Sequence, residues 1–244
     1  MVARMGSSRL PGKTLEKITD NLTMIHFLIN RLKKSEKIGR IILATSNLKN
    51  DDVLHRWALS NDILVFRGSS ENVLKRISDC ITFFSINHFA FILGDNPLVD
   101  HRILDYCIDI YRADNKLDFL TTHSMEYSKY HDSEDYFPVG IRVQIMNFNT
   151  INKVINKVNS ASNKEHSSSY IIENLSDFKH CFVTASNPFQ DFKLKNFNFA
   201  VNTQNQLDSI RKIHFMLRDS PDYSIADVIS LIKSNKSNFN PLKL

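Results

Sequence analysis

The sequence predicts an α/β protein built on a mixed, mostly parallel sheet with helices on both faces. Two observations carry this. Over the first two-thirds of the 244 residues, short apolar runs alternate with amphipathic segments, which is the rhythm of strand–helix–strand units. The turn-rich run Leu93-Gly94-Asp95-Asn96-Pro97 lies between an apolar run and a helical pattern, where open α/β sheets carry ligands at the carboxyl edges of their strands.

The elements follow in order. Ile25, Leu28, Ile29 and Leu32 recur at helical spacing within 24–34. Arg40-Ile41-Ile42-Leu43-Ala44 reads as a buried strand, 51–60 as a helix with an acidic first turn, and Ile63-Leu64-Val65-Phe66 as a strand closed by Gly68. A helix over 71–84, a strand over 88–93, a helix over 100–112 and a strand over 118–122 continue the alternation. The stretch 124–136 is polar, aromatic and aperiodic and reads as a long loop. Ile141, Val143 and Ile145 alternate with polar or flexible neighbours, predicting a half-exposed strand. Helices near 149–158 and 165–174, strands over 181–185 and 197–201, and two helices over 204–218 and 224–234 complete the chain. The simplest organisation is one domain over 1–244 with a loop or flap inserted near 124–147.

Composition narrows the function classes. Hydrophobic residues make up 42% and charged residues 23% of the chain, which is ordinary for a globular protein. No apolar run approaches the roughly 18 residues of a membrane span, and no signal-peptide core opens the chain. The cysteines Cys80, Cys107 and Cys181 are widely spaced and read as buried thiols of a cytoplasmic protein. The net charge of +5 is scattered, without a long basic run or interleaved aromatics. This argues against nucleic acid as a partner and for a phosphorylated small molecule.

The charge concentrates in Arg4-Met5-Gly6-Ser7-Ser8-Arg9-Leu10-Pro11-Gly12-Lys13. Such a loop exposes backbone N–H groups through Gly6, Ser7 and Ser8, while Arg4, Arg9 and Lys13 can surround a polyphosphate. The bland alternative is a solvated basic tail. It is not a Walker loop, because the Gly6-to-Gly12 spacing is one residue too long for GxxxxGK[ST]. Only Met1-Val2-Ala3 precede it, whereas a phosphate loop in such folds follows the central strand. The first central strand is therefore expected to be truncated, with its neighbours' edges unpaired unless an upstream start or another segment fills the place.

Asp95 is the second chemical feature. At the carboxyl edge of the sheet its carboxylate suits Mg²⁺, which takes hard oxygen ligands and substrate phosphates. The alternative makes it a turn residue. Asp100 reads as the N-cap of the following helix.

Together RMGSSRLPGK, VFRGSSENVLKR, LGDNPLVD, FPVGI, KEHSSSYI and VNTQNQLDSIRKI, in this order, resemble the cytidylyltransferase family. That family includes the spore-coat polysaccharide type and, more distantly, the acylneuraminate and 3-deoxy-manno-octulosonate cytidylyltransferases. The resemblance runs from Ala3 to near Asn240. It implies a nucleotidyltransferase-like (Rossmann-like) fold and often a homodimer. It also implies Mg²⁺-dependent transfer of CMP from CTP to a sugar or sugar acid, with release of pyrophosphate, for surface polysaccharide or glycan precursors. Carried over, Arg4, Gly6, Ser7, Ser8, Arg9 and Lys13 match the triphosphate loop, with Arg9 and Lys13 acting with Asp95 in catalysis. Asp95 also matches the Mg²⁺ aspartate. Arg67, Gly68, Ser69 and Arg76 fall on the nucleotide side. Glu165 and His166 match an acceptor-side pair, His166 being equally readable as structural.

The chain departs from that pattern in several places. Asn202 stands where metal-dependent relatives carry a second aspartate, so the metal pair is Asp95 with a neutral amide. Asn72, Val139, Arg142 and Gln144 replace acids. These changes leave a second expectation open, a catalytically impaired nucleotide-binding homologue or partner subunit. A glycosyltransferase using a sugar nucleotide shares the α/β class, but the cationic loop suits a leaving pyrophosphate better.

Overall fold

The computed structural model describes residues 1–158, 168–220 and 222–244. After the basic loop the chain forms a small hairpin, β1 (Lys17–Thr19) and β2 (Leu22–Thr23), which the sequence pattern did not reveal. Then come α1 (Met24–Leu32), β3 (Ile42–Ser46), α2 (Asp52–Ser60), β4 (Leu64–Gly68), α3 (Val73–Phe83), β5 (His88–Phe91), α4 (His101–Ala113) and β6 (Phe119–Thr122). β7 (Gln144–Asn147), α5 (Phe148–Ile155), α6 (Ser169–Glu173), β8 (His180–Val183), α7 (Gln204–Met216) and α8 (Ile225–Ser234) follow.

The sheet is mixed. β3 and β4 pair in parallel with Ala44 opposite Phe66, while β5, β7, β6 and β8 form a second group in that order. Within it β7 runs antiparallel to both β5 and β6, and β8 is parallel to β6. The two groups are joined at Val2, which bridges Ala44 and Leu93 in parallel. The Val2 amide donates to Ile92 O at 3.0 Å, and Gly94 N donates back to Val2 O at 2.8 Å. Residues 1–3 thus link the two groups through isolated bridges, bonding to the first half of β3 and to the residues just after β5.

This close approach explains Gly94. A Cβ there would lie 2.6 Å from Ala3 Cβ and 2.9 Å from Val2 O. Gly94→Ala is therefore expected to destabilise the protein by about 1–3 kcal/mol through overpacking. Removing the Ala3 methyl in an Ala3→Gly/Gly94→Ala double variant should recover only part of that loss, because the contact with Val2 O remains. Denaturant titration of the two variants checks this.

Helices cover both faces. α1, α4, α7 and α8 pack Leu28, Leu104, Ile210 and Ile229 into one core, and α3 and α5 pack Leu74, Ile77 and Ile151 into another. Ile25 and Ile29 of α1 pack with Leu54 of α2 and Leu43 of β3 in a third cluster. All four apolar positions predicted for α1 are buried.

Three expectations need correction. β7 is no half-exposed strand: it lies between β5 and β6, with Gln144, Ile145 and Met146 buried. A strand in the middle of a sheet covered by helices is buried on both faces, so alternation is a poor guide to it. Residues 197–201 form no strand but two isolated bridges, Val139 with Asn198 and Phe197 with Lys243. The stretch 124–136 is more ordered than a loop reading implies, with a 3₁₀ turn at Met125–Tyr127 and buried Tyr127 and Tyr136.

Candidate active site

A cleft of about 660 Å³ opens at the carboxyl edge of the sheet, between the basic loop, Asp95, the segment 126–130 and the start of α6. The loop is shaped by a few bonds. Gly12 sits at φ 77°, and its amide donates to Met5 O at 3.0 Å, which closes the loop on itself. A left-handed residue at this position favours glycine. Ser7 Oγ accepts from Leu10 N, and Thr14 Oγ1 donates to Arg4 O. Among the described residues the amides of Gly6, Ser8 and Arg9 donate to no protein acceptor, as an anion cradle requires.

Asp51, which the sequence reading placed only in an acidic helix turn, anchors this loop. It is buried, and one carboxylate oxygen accepts from Met5 N at 2.6 Å. The other accepts from both Ser46 N and Ser46 Oγ at the end of β3. Helical spacing carries no trace of this role, because the bonds run to backbone far away in sequence.

At the cleft floor Lys13, Asp95 and Asn202 converge. Lys13 Nζ donates to Asp95 Oδ2 at 2.9 Å, to Val201 O at 2.7 Å and to Asn202 Oδ1 at 3.2 Å. Arg9 donates to the same Asn202 oxygen at 2.8 Å. The backbone holds the two acceptors together, since Val201 N donates to Asp95 O at 2.8 Å. Asp95 and Asn202 thus present two hard oxygens to a single cation position, now taken by the Lys13 ammonium. One carboxylate and one amide oxygen fit Mg²⁺, which completes its shell with water and substrate phosphates. Among the described residues no group of three His, Cys, Asp or Glu forms a self-sufficient metal cage.

The nucleotide-side residues separate. Arg76 lines the cleft and is buried, with one nitrogen donating to Ser69 O at 2.9 Å and its Nε without a partner. Burial, and then the neighbouring Arg4 charge, pull its pKa below the ordinary arginine value. Arg67 lies outside the cleft lining. Its guanidinium donates to Ser46 O, Leu48 O and Asp52 Oδ1, tying β4 to the start of α2. Ser69 Oγ accepts from Asn72 N, and Gly68 is packed against Arg76 and Phe66. Glu165 and His166 lie outside the described residues.

The departures from the acidic pattern also separate. Asn72 caps α3 by accepting from Lys75 N, a task Asn and Asp perform equally. Val139 is buried away from the cleft, and Gln144 donates to Tyr127 OH. Arg142 and Asn202 do reach the cleft. Arg142 pairs with Glu126 and lies over the Tyr127 ring at 5.6 Å. Burial also raises the Tyr127 pKa. Lys129 stands over the Tyr130 ring on the same wall. Sequence reasoning identified this wall only as a segment that could close over an acceptor.

The family model for cytidylyltransferases matches residues 1–234. The chain belongs to the cytidylyltransferase family. It is accordingly a nucleotidyltransferase. The spore coat polysaccharide biosynthesis protein SpsF of Bacillus subtilis (strain 168) is 27% identical over 239 residues, covering 96% of this chain and 92% of that protein. The structure of a cytidylyltransferase from Leptospira borgpetersenii is 25% identical, with a TM-score of 0.87 over 100% of this chain and 96% of the other. A CMP:2-keto-3-deoxy-manno-octonic acid synthetase solved with CTP shares the fold at a TM-score of 0.62 and 16% identity, over 88% and 96% of the two chains. The cytidylyltransferase fold accounts for the cleft's position at the carboxyl edge. Among the described residues no helix is long and apolar enough to cross a membrane.

Proposed function

We propose that this cytidylyltransferase transfers CMP from CTP to the hydroxyl of a sugar or sugar acid, releasing pyrophosphate, in the synthesis of a surface polysaccharide or glycan precursor. One observation carries the reading: the basic loop, with open amides at Gly6, Ser8 and Arg9, meets Asp95 in a single cleft. The name of the Bacillus subtilis relative supports the polysaccharide assignment. The family resemblance supports a cytoplasmic homodimer, which sedimentation of the purified chain would test.

The loop amides and Arg9 bind the β- and γ-phosphates and stabilise the charge of the departing pyrophosphate. Lys13, whose ammonium bridges Asp95 and Asn202, would keep its bond to Val201 O and yield those two oxygens to the metal. Asp95 and Asn202 would hold Mg²⁺, which when bound supplies charge that offsets the negative charge building on the transferred phosphate. Tyr127, Tyr130 and the Arg142–Glu126 pair form the wall on which an acceptor lies. The remaining task is alignment, since phosphoryl chemistry of this kind uses no covalent protein nucleophile.

Calorimetric titration with CTP, ATP, GTP and UTP, with and without Mg²⁺, tests the proposal. CTP-selective binding enhanced by Mg²⁺ is the expected result, followed by pyrophosphate release in an acceptor screen. A folded sample that binds no nucleotide, or binds all four alike, would overturn it.

A second reading, a weakly catalytic homologue, is favoured by the neutral Asn202 oxygen already accepting from both Arg9 and Lys13. Asn202→Asp supplies the absent charge and should raise Mg²⁺ affinity several-fold. A rise in turnover of tenfold or more alongside it, roughly 1.4 kcal/mol in the barrier, would favour the weakly catalytic reading. Unchanged turnover would remove it.

A further inference from the structure

Asp51 stands at the start of α2, where an aspartate ordinarily uses its side chain to cap the helix. Its backbone holds the N-cap position, yet the side chain makes no cap bond. One carboxylate oxygen accepts instead from Met5 N at 2.6 Å, a short bond of the kind charge assistance produces. The other accepts from Ser46 N at 3.1 Å and from Ser46 Oγ, at the carboxyl end of β3. A local use is given up for a distant one, and conflicts of this kind gather at functional sites.

The loop is pinned at Met5. Its carbonyl accepts from Ser7 N at 3.1 Å and from Gly12 N at 3.0 Å, so the first turn of the loop and its closure both hang on one residue. The Met5 side chain packs against the cluster that holds Leu54 of α2. Gly6, Ser8 and Arg9, whose amides donate to no protein acceptor among the described residues, lie within the arc so fixed. Asp51 itself lies outside the cleft lining. Its charge nonetheless reaches Arg76 on the cleft wall. Burial and the Arg4 charge pull the Arg76 pKa down, and Asp51 opposes both.

We propose that Asp51 is a positioning residue for the polyphosphate: through Met5 it sets the spacing of the Gly6, Ser8 and Arg9 amides without touching the phosphates. A loop held in place before the ligand arrives loses little freedom on binding. The inference rests on the phosphate-binding part of the function proposed above and is independent of the acceptor.

The sign of one effect separates positioning from simple electrostatics. A carboxylate near an anion site repels the anion, so removing its charge alone would tighten polyphosphate binding. Positioning requires the opposite. Calorimetric titration of Asp51→Ala and Asp51→Asn without metal, using inorganic tripolyphosphate, CTP and CMP, makes the test. Circular dichroism and the thermal midpoint establish that each variant is folded at the temperature used. Asp51→Ala is expected to bind tripolyphosphate and CTP about tenfold or more weakly, the scale of one lost bond to a charged group. CMP affinity should stay close to that of the parent, because CMP has no β- or γ-phosphate for the loop to hold. Asp51→Asn presents an NH2 group to one of its two sets of donors, so it too should weaken both polyphosphate probes. It decides the matter if Asp51→Ala fails to fold. A merely structural role would lower the midpoint and leave the affinities of the folded protein unmoved. Unchanged or tighter polyphosphate binding in the folded variants, or an equal loss for CMP, would overturn this proposal alone. A parent that binds neither tripolyphosphate nor CTP would overturn it together with the function on which it rests.

Discussion

Asp95→Asn is expected to lower kcat/KM by about 100- to 1000-fold, the usual loss when a fixed electrostatic contributor to a transition state is removed. The substitution keeps the shape of the side chain and removes only its charge. The surrounding structure should hold for two reasons. The backbone bond from Val201 N to Asp95 O is untouched, and Lys13 keeps Val201 O and Asn202 Oδ1 as acceptors. The Asp95 carboxylate is also 28% exposed, so its pair with Lys13 contributes on the order of 1 kcal/mol to stability at most. The melting midpoint should therefore move by only a few degrees.

The nucleotide should still bind the variant in the absence of Mg²⁺, because Arg9 and the loop amides are intact. The enhancement of binding by Mg²⁺ should be lost. Joint measurement of turnover, CTP affinity with and without Mg²⁺, and thermal midpoint separates a lost site from a lost fold. Turnover within tenfold of the parent would sink the assignment of Asp95 to catalysis.

The alternation of strands and helices was legible because each apolar run there is short and bounded by turn residues. The juxtaposition of the loop with Asp95 came from the resemblance, which implies that both serve one nucleotide site. Three things were not legible, each for a physical reason. The place of β7 between β5 and β6 depends on pairing across about 55 residues of chain to β5 and about 25 to β6, which no local period encodes. Asp51 acts through backbone donors at Met5 and Ser46, so its neighbours in sequence reveal only a helix start. Arg67 lies beside the glycine and serine of a nucleotide-side segment, yet three acceptors draw it to the start of α2. Resemblance implies a nucleotide-side place for both arginines of that segment, whereas only Arg76 lines the cleft.

The largest stability effect is expected at Asp100, which the sequence presents as an ordinary helix cap. A cap of that kind contributes about 1 kcal/mol. The structure gives Asp100 more to do. It is fully buried, and Oδ1 accepts from Arg102 N at 2.9 Å as the cap of α4. Oδ2 accepts from Arg31 at 3.2 Å and from Ile225 N at 3.1 Å, the first residue of α8. One carboxylate thus joins α1, α4 and α8. Arg31 is itself buried, its other nitrogens donating to Val99 O and Tyr223 O beneath the Tyr223 ring.

Asp100→Ala would leave that guanidinium without its counter-charge and two amides without acceptors. A loss of about 3–5 kcal/mol is expected, the range for breaking a buried pair from one side. Asp100→Asn should cost less, because an amide oxygen can still serve one of the two amides. Arg31→Met combined with Asp100→Asn should cost less than the two single changes added together, since no buried charge is then left alone. The half-exposed Asp52–Arg67 pair is the control: Asp52→Ala should cost about 1 kcal/mol or less. Denaturant titration of the set decides the matter. If Asp100→Ala cost no more than Asp52→Ala, Asp100 would be a cap alone, and the three helices would owe their arrangement to apolar packing without it.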